Sequence, residues 1–257
     1  MAALTGKVAV VTGASRGIGR ATAERLAARG AVVAVHYASD RTAALEVVES
    51  IGAAGGAAFP VQAEFSSPDG PAELWEAFDA SIGAYTDGGE ARVDILVNNA
   101  ATLVRGSLEE AKPDDYERMM AVNLRAPFFL VQQALGRLRD GSRIINVSSA
   151  VTRMTFPGTA VYGLTKGALN TLTLGLAQEL GGRGITVNAV SPGPLDTDAN
   201  ADWLRGNAQA QQQVSEQSAL GRVGQAGDVA DVITYLATDE ARWITGQVID
   251  ASGGTRL

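Results

Sequence analysis

At 257 residues, 46% hydrophobic and 19% charged, the chain suits one α/β domain with a sizeable core. A net charge of -7 and no basic patch argue against a nucleic-acid partner. With no cysteine and the single histidine His36, disulfides, thiolate chemistry and a zinc centre are excluded. A Ser-His-Asp hydrolase would have to recruit a histidine from a buried strand.

The lead-in Met1 to Lys7 runs directly into a strand and lacks the basic and apolar regions of a signal peptide. No stretch of eighteen apolar residues occurs, so a cytoplasmic protein without a membrane partner is expected. Strands are predicted at Val8 to Thr12, Val32 to His36, Ala58 to Val61, Asp94 to Asn98, Arg143 to Ser148, Thr186 to Val190 and Gln247 to Ile249. Helices are predicted at Gly17 to Arg29, Arg41 to Ala53, Pro71 to Ile82, Pro113 to Arg139, Ala160 to Leu180 and Gly227 to Thr238. Strands alternating with helices indicate βαβ units. The fold class is therefore α/β, a doubly wound seven-stranded parallel sheet covered on both faces. No linker divides residues 1–257, so one domain is expected. Tyr85 to Glu90 reads as a surface turn. Residues 196–218 lack strand character and read as one or two short helices forming a substrate lid.

Thr12-Gly13-Ala14-Ser15-Arg16-Gly17-Ile18-Gly19 follows the first strand and opens a helix. Glycines there permit a tight turn and close backbone approach, and the helix N-terminus offers free N–H groups to a pyrophosphate. The spacing is G-x-x-x-G-x-G, not the G-x-G-x-x-G of other dinucleotide folds. An NAD site commonly places a carboxylate about twenty residues further on. No Asp or Glu occurs from Ala31 to Ser39, and the second strand ends in His36, Tyr37, Ala38 and Ser39. Arg16, assisted by Ser39 and Arg41, can pair with a 2′-phosphate, which favours NADP(H). Tyr162 and Lys166 lie four apart at a predicted helix start, on one helical face. An ammonium beside a phenol lowers the phenol's pKa toward the range of a general acid or base.

In these motifs the chain closely resembles the short-chain dehydrogenase/reductase family from Lys7 to Gly254. Thr12 to Gly19 resembles its cofactor loop. Asn98-Asn99-Ala100-Ala101 resembles its N-N-A-G, with Ala101 in place of glycine. Asn123, Ser149, Tyr162 and Lys166 match its catalytic set. Ser191-Pro192-Gly193-Pro194, with Leu195 and Thr197, resembles the loop over the nicotinamide. Ala63 and Glu64 fall where members contact the adenine, Glu64 standing for a common Asp. The resemblance implies a Rossmann fold, an NADP(H) cofactor held by these residues together with Gly13 to Gly19, His36 to Ser39, Asn98 and Ala100, and a homotetramer. It also implies subunit contacts through the run Trp243 to Asp250.

The implied chemistry is hydride transfer between the cofactor and a carbonyl carbon. Tyr162 would exchange the proton, Lys166 would lower its pKa and hold the ribose, Ser149 would fix the carbonyl oxygen, and Asn123 would hold a relay water. Bringing a phenol to neutrality requires a shift of ~3 units, about 4 kcal/mol. The predicted cleft residues Thr102, Leu103, Val104, Val151, Arg153, Met154, Phe156, Leu195 and Trp203 are mostly apolar with one cation. They suit a hydrophobic ketone, and the segments around them resemble bacterial aromatic-polyketide ketoreductases. Alternatives are a 3-oxoacyl thioester reductase or other alcohol dehydrogenase, and, in a different class, a non-catalytic NADP(H) sensor or an epimerase with a longer chain.

Overall fold

The computed structural model describes residues 3–86 and 90–257; Asp87 to Gly89, within the turn expected at Tyr85 to Glu90, lie outside the described residues, as do Met1 and Ala2. Seven parallel strands form the central sheet in the order β3-β2-β1-β4-β5-β6-β9. They are β1 Val8–Val11, β2 Val32–Tyr37, β3 Ala57–Gln62, β4 Val93–Asn98, β5 Leu138–Val147, β6 Thr186–Pro192 and β9 Val248–Ala251. A separate two-residue pair joins β7 Leu195–Asp196 to β8 Gly224–Gln225. Asp196 thus belongs to a short strand, which corrects the expectation that residues 196–218 have no strand character.

Val-rich sequences such as Val8-Ala9-Val10-Val11 make continuous strands because both faces are covered. On one face α1 Gly17–Ala28, α2 Arg41–Ala53 and α9 Ala226–Leu236 bury Leu26, Val47, Val229 and Ile233 in one cluster with Ala9, Val33, Ile145 and Val190 of the sheet. On the other, α3 Gly70–Ile82, α5 Ala126–Ala134 and α6 Ala160–Leu180 bury Leu74, Trp75, Phe78, Leu130 and Leu180. Each such apolar side chain stabilises the fold by about 2 kcal/mol. Trp75 also satisfies its indole N–H with Leu130 O at 3.2 Å. The remaining helices are α4 Pro113–Met120 and, in the lid region, α7 Ala201–Leu204 and α8 Ala208–Glu216.

The helix expected over Pro113 to Arg139 is three pieces. It runs as α4, passes through a π-turn at Ala121–Arg125, and ends as α5 at Ala134. Leu138 already pairs with Val93 in the sheet and is buried, so β5 starts five residues before Arg143. The exposed segment Arg139 to Gly141 sits at a register shift in the β4–β5 ladder. Helical spacing of apolar residues continues through this junction in the sequence, but burial of Leu138 against β4 overrides it.

The neighbours of β1 are β2 on one side and β4 on the other. The chain order reverses there, and the crevice above the carboxyl ends of β1 and β4 is where ligands bind in open α/β sheets. The loops after β1, β4, β5 and β6 all emerge at this edge.

Candidate active site

These loops enclose a cleft of about 1120 Å³. Its floor at one end is the loop after β1. Gly13 and Gly17 adopt left-handed φ values of 61° and 56°, which an L side chain would strain. A Cβ on Gly19 would lie 2.2 Å from Gly13 O and 2.5 Å from Asn99 Nδ2, so only glycine lets the helix start pack on the loop. Thr12 Oγ1 accepts the backbone N–H groups of Asn99 and Ala100, both at 2.9 Å, and Asn99 Nδ2 donates to Thr12 O at 2.8 Å and Gly13 O at 3.0 Å. His36 Nδ1 accepts the Gly13 N–H at 2.9 Å, while Nε2 lies 3.1 Å from Ala63 O and takes the donor role. This ring is buried and stacked on Phe65, with centroids 4.4 Å apart, and desolvation pushes its pKa down to about 4. It is neutral near pH 7.

Ser15, Arg16, Gly17, Ile18, Tyr37, Ala38, Ser39, Ala63, Glu64, Ala100, Pro192, Gly193, Leu195 and Thr197 all line the cleft. Helix α1 opens on it with no side-chain cap and no acidic residue in its first turn. Ser148 Oγ, at the end of β5 and also lining the cleft, is buried with no hydrogen-bond partner. An open helix N-terminus, glycine turns and an orphaned buried hydroxyl fit a dinucleotide phosphate and ribose. Asp40 lies one residue past the stretch free of carboxylates and lines the same cleft, but Oδ1 caps α2 by accepting Ala43 N–H at 3.0 Å.

Gly19, Asn98 and Asn123 do not line the cleft. Asn98 is buried within the sheet and donates to Asn146 Oδ1 at 2.8 Å. It is Asn99, absent from the expected set, that grips the glycine loop and faces the cleft. The sequence offered two adjacent asparagines, and strand alternation past Val97 assigns the second to the loop. Asn123 sits in the π-turn, buried, with Oδ1 accepting Thr102 N–H at 2.8 Å and Nδ2 donating to Thr102 O at 2.9 Å and Thr165 Oγ1 at 3.2 Å.

The other end of the cleft holds Ser149, Tyr162 and Lys166 together. Ser149 leaves β5, its Oγ accepting the Val151 N–H at 3.3 Å, and Tyr162 opens α6 across the cleft wall from it. Lys166, one helical turn on, is buried and donates to Val147 O at 2.7 Å, with Nζ 5.5 Å from the Tyr162 ring centroid. Desolvation pushes the Tyr162 pKa up to about 12, against the lowering effects of the Ser149 hydroxyl and the Arg105 charge. Burial pushes Lys166 down to about 8. Loss of water outweighs these influences, so the phenol is raised and Tyr162 is protonated near pH 7, opposite in direction to the lowering expected from Lys166 together with a bound nicotinamide.

Of the expected substrate-side residues, Thr102, Leu103, Val151, Phe156, Leu195 and Trp203 line the cleft. Val104, Arg153 and Met154 do not. Arg153 turns to the C-terminal tail, its Nε donating to Asp250 Oδ2 at 2.8 Å and its Nη2 to Thr255 O at 2.9 Å. The cations that do reach the cleft's substrate side are Arg105, Arg118 and Arg256. Arg105 adjoins a predicted cleft segment and was within reach of sequence reasoning; nothing in the sequence places the penultimate residue Arg256 there.

Fold and cleft together define a dinucleotide-dependent oxidoreductase. The family model described as enoyl-(acyl carrier protein) reductase matches residues 13–256, and the chain belongs to the short-chain dehydrogenase/reductase family. The solved structure of the promiscuous reductase LugOII, which catalyses keto-reduction at C1 during lugdunomycin biosynthesis, is 50% identical. It superposes with a TM-score of 0.92, covering 99% of this chain and 100% of that one. The angucycline C-6 ketoreductase LanV with bound NADP is 48% identical with a TM-score of 0.93, covering 99% and 97%. Versicolorin reductase of Emericella nidulans is 40% identical, over 98% of this chain and 96% of the relative.

Proposed function

We propose that the chain is an NADPH-dependent ketoreductase acting on a hydrophobic, aromatic polyketide-like ketone. The observation that carries this reading is one cleft that joins the glycine loop to the Ser149, Tyr162 and Lys166 cluster. Near full-length likeness to LanV and LugOII supports the substrate class.

NADPH, when bound, supplies the hydride. Arg16 and Ser39 would hold its 2′-phosphate, Asn99 and the Gly13 to Gly19 loop would hold its pyrophosphate, and Lys166 and Ser148 would hold the nicotinamide ribose. Ser149 Oγ donates to the substrate carbonyl oxygen and fixes it near Tyr162. Tyr162, protonated at neutral pH, gives its proton to the alkoxide as charge develops there. The Lys166 ammonium, buried beside it, stabilises the tyrosinate left behind. Asn123 holds Thr102 and Thr165 in place and would help hold a water that relays protons from Lys166. Residues 196–218 form the substrate lid.

We further propose a cytoplasmic homotetramer. Among the described residues no helix is long and apolar enough to cross a membrane. β9 is a sheet edge paired only with β6, and nearby Trp243 is 96% exposed. Light scattering behind size exclusion tests the assembly. The activity is tested by the initial rate of NADPH and NADH oxidation with ketones from oxoacyl thioesters to polycyclic quinones. Turnover of a polycyclic ketone with NADPH is expected. Turnover of thioesters alone would move the protein to the 3-oxoacyl reductases, and silence despite tight NADPH binding would favour a sensor.

A further inference from the structure

Two guanidinium groups stand on one rim of the substrate side. Arg105, in the loop after β4, lies over the Trp203 ring, 5.9 Å from its centroid, and its Nη2 reaches Asn200 Oδ1 at 3.5 Å. Arg256 lies over the Phe156 ring at 4.9 Å, its Nε donating to Gln217 Oε1 at 2.9 Å and its Nη1 reaching Thr155 O at 3.5 Å. A backbone hydrogen bond of 3.1 Å from Gly106 to Gly158 ties the two segments together, one residue past Arg105 and two past Phe156. Neither arginine has a carboxylate within 4.0 Å among the described residues, whereas Arg153, Arg205 and Arg222 each do.

Arg256 is also held deliberately. It is the one described non-glycine residue with a left-handed backbone, at φ 51°. Such a conformation is costly for a side-chain-bearing residue and persists only when its surroundings enforce it. Here its N–H donates to Gln217 O at 2.9 Å and its carbonyl accepts from Arg153 Nη1 at 3.2 Å. The tail is clamped between the lid and the loop after β5, aiming the side chain at the cleft.

The acidic groups on this side are Asp198 and Asp202. Arg205 Nη1 engages Asp198 at 3.0 Å, leaving Asp202 against the charges of Arg105, Arg118 and Arg256. The balance is positive, in a chain whose net charge is -7. Planar cations stacked on aromatic faces, above apolar walls from Leu103, Val151 and Val214, suit a flat ring system that carries delocalised negative charge.

We propose that Arg105 and Arg256 recognise an ionised phenolic or enolic hydroxyl on the substrate, so that the preferred ketones are acidic aromatic ones. This rests on the ketoreductase reading and narrows it. The probes are 2-hydroxy-1,4-naphthoquinone, an anion at pH 7, and its neutral methyl ether, of nearly the same shape. Their dissociation constants are measured by calorimetry on the full-length protein with NADP⁺ bound, and their turnover with NADPH is followed separately. The anion binds at least about tenfold more tightly to the wild type, equivalent to one factor of ten in Kd. Arg105→Gln and Arg256→Gln each weaken the anion about fivefold, the range of a single exposed charge contact, and leave the ether within about twofold. Arg105→Lys retains most of the preference, and added salt erodes it.

No wild-type preference for the anion overturns the inference, and so does an equal loss for both ligands, which would make the arginines mere ties on the lid. Preferential binding without turnover of either quinone sinks the aromatic-ketone reading and leaves the anion site standing. Equal binding with turnover of both does the reverse.

Discussion

The two ends of the cleft are built from different materials. The cofactor end is held by buried polar groups and backbone: Thr12 Oγ1 takes two N–H groups, Asn99 grips two carbonyls, and His36 spans from Gly13 to Ala63. The substrate end is held by exposed side chains, with Arg205 on Asp196 and Asp198, Arg153 on Asp250, and Arg256 on Gln217. Buried hydrogen bonds away from water resist opening, because breaking one strands an unsatisfied group. Exposed ion pairs are weak and screened by salt. One end is therefore held by contacts that resist opening and the other by contacts that yield readily, the division expected if a constant cofactor meets a bulky, variable substrate there.

Tyr162 sits at the junction, and its removal is the severest test. Tyr162→Phe keeps the ring and the packing of α6 but deletes the proton. Turnover should fall about 10³-fold, the range of a lost general acid. NADPH affinity should persist, because the loop after β1 is untouched. A loss of cofactor binding in that variant would show that the two ends are not separable. The pH profile sharpens the same point. Lys166 loses its charge as pH rises through about 8, so the reduction rate should hold at neutral pH and decline above that value.

The next effect falls on the rigid end alone. His36 has a folded pKa of about 4 against an ordinary 6.5. Between those values the unfolded chain binds more protons than the folded one, so stability falls as pH drops from 6.5 toward 4. The limit is about 3 kcal/mol for a shift of this size. Protonation would also turn Nδ1 into a donor facing the Gly13 N–H, so the glycine loop should loosen first. Urea midpoints at pH 7 and pH 4.5, compared between wild type and His36→Asn, isolate the contribution. An identical pH slope in both proteins would show that the ring is not the acid-sensitive element.

Much of the rigid end was legible in the sequence, and the reason is physical. Backbone turns demand particular residues: Gly13, Gly17 and Gly19 are forced by φ or by close approach, and Val-rich strands are forced by two-sided burial. Such demands are local and leave a local trace. The π-turn at Ala121–Arg125 left none, because its apolar spacing matches an ordinary helix. The early start of β5 depends on Val93, more than forty residues away. At the substrate end the sequence placed Arg153 in the cleft, where the structure turns it toward Asp250 and brings Arg256 in instead. Side chains that meet through exposed tertiary contacts have no period or spacing to betray them. The raised pKa of Tyr162 was equally hidden, since it follows from lost water and not from the four-residue spacing to Lys166.

The choice between phosphorylated and unphosphorylated cofactor is a smaller matter, of about one factor of ten. Ala38 lines the cleft beside Ser39, and the nearest carboxylate, Asp40, is occupied in capping α2. Ala38→Asp adds a charge that repels a 2′-phosphate and accepts a ribose hydroxyl. NADPH should weaken and NADH improve, each read as KM. Unchanged preference would mean that Arg16 and its neighbours do not set it.

The mildest prediction concerns the lid. Arg205 bonds Asp196 Oδ1 and Asp198 Oδ1, both at 3.0 Å, and so pins the first turn of the segment to β7. All of these groups are solvent-accessible, so the contact is screened and small. Arg205→Ala should leave the thermal midpoint and the NADPH KM nearly unchanged. The ketone KM should rise within about fivefold, as expected when an exposed charge contact that helps keep a lid closed is lost. The effect should shrink in high salt, where the wild-type contact is already weakened. If Arg205→Ala instead disrupted NADPH binding as strongly as ketone binding, the lid and the glycine loop would be one rigid unit, and the contrast between the two ends of the cleft would not hold.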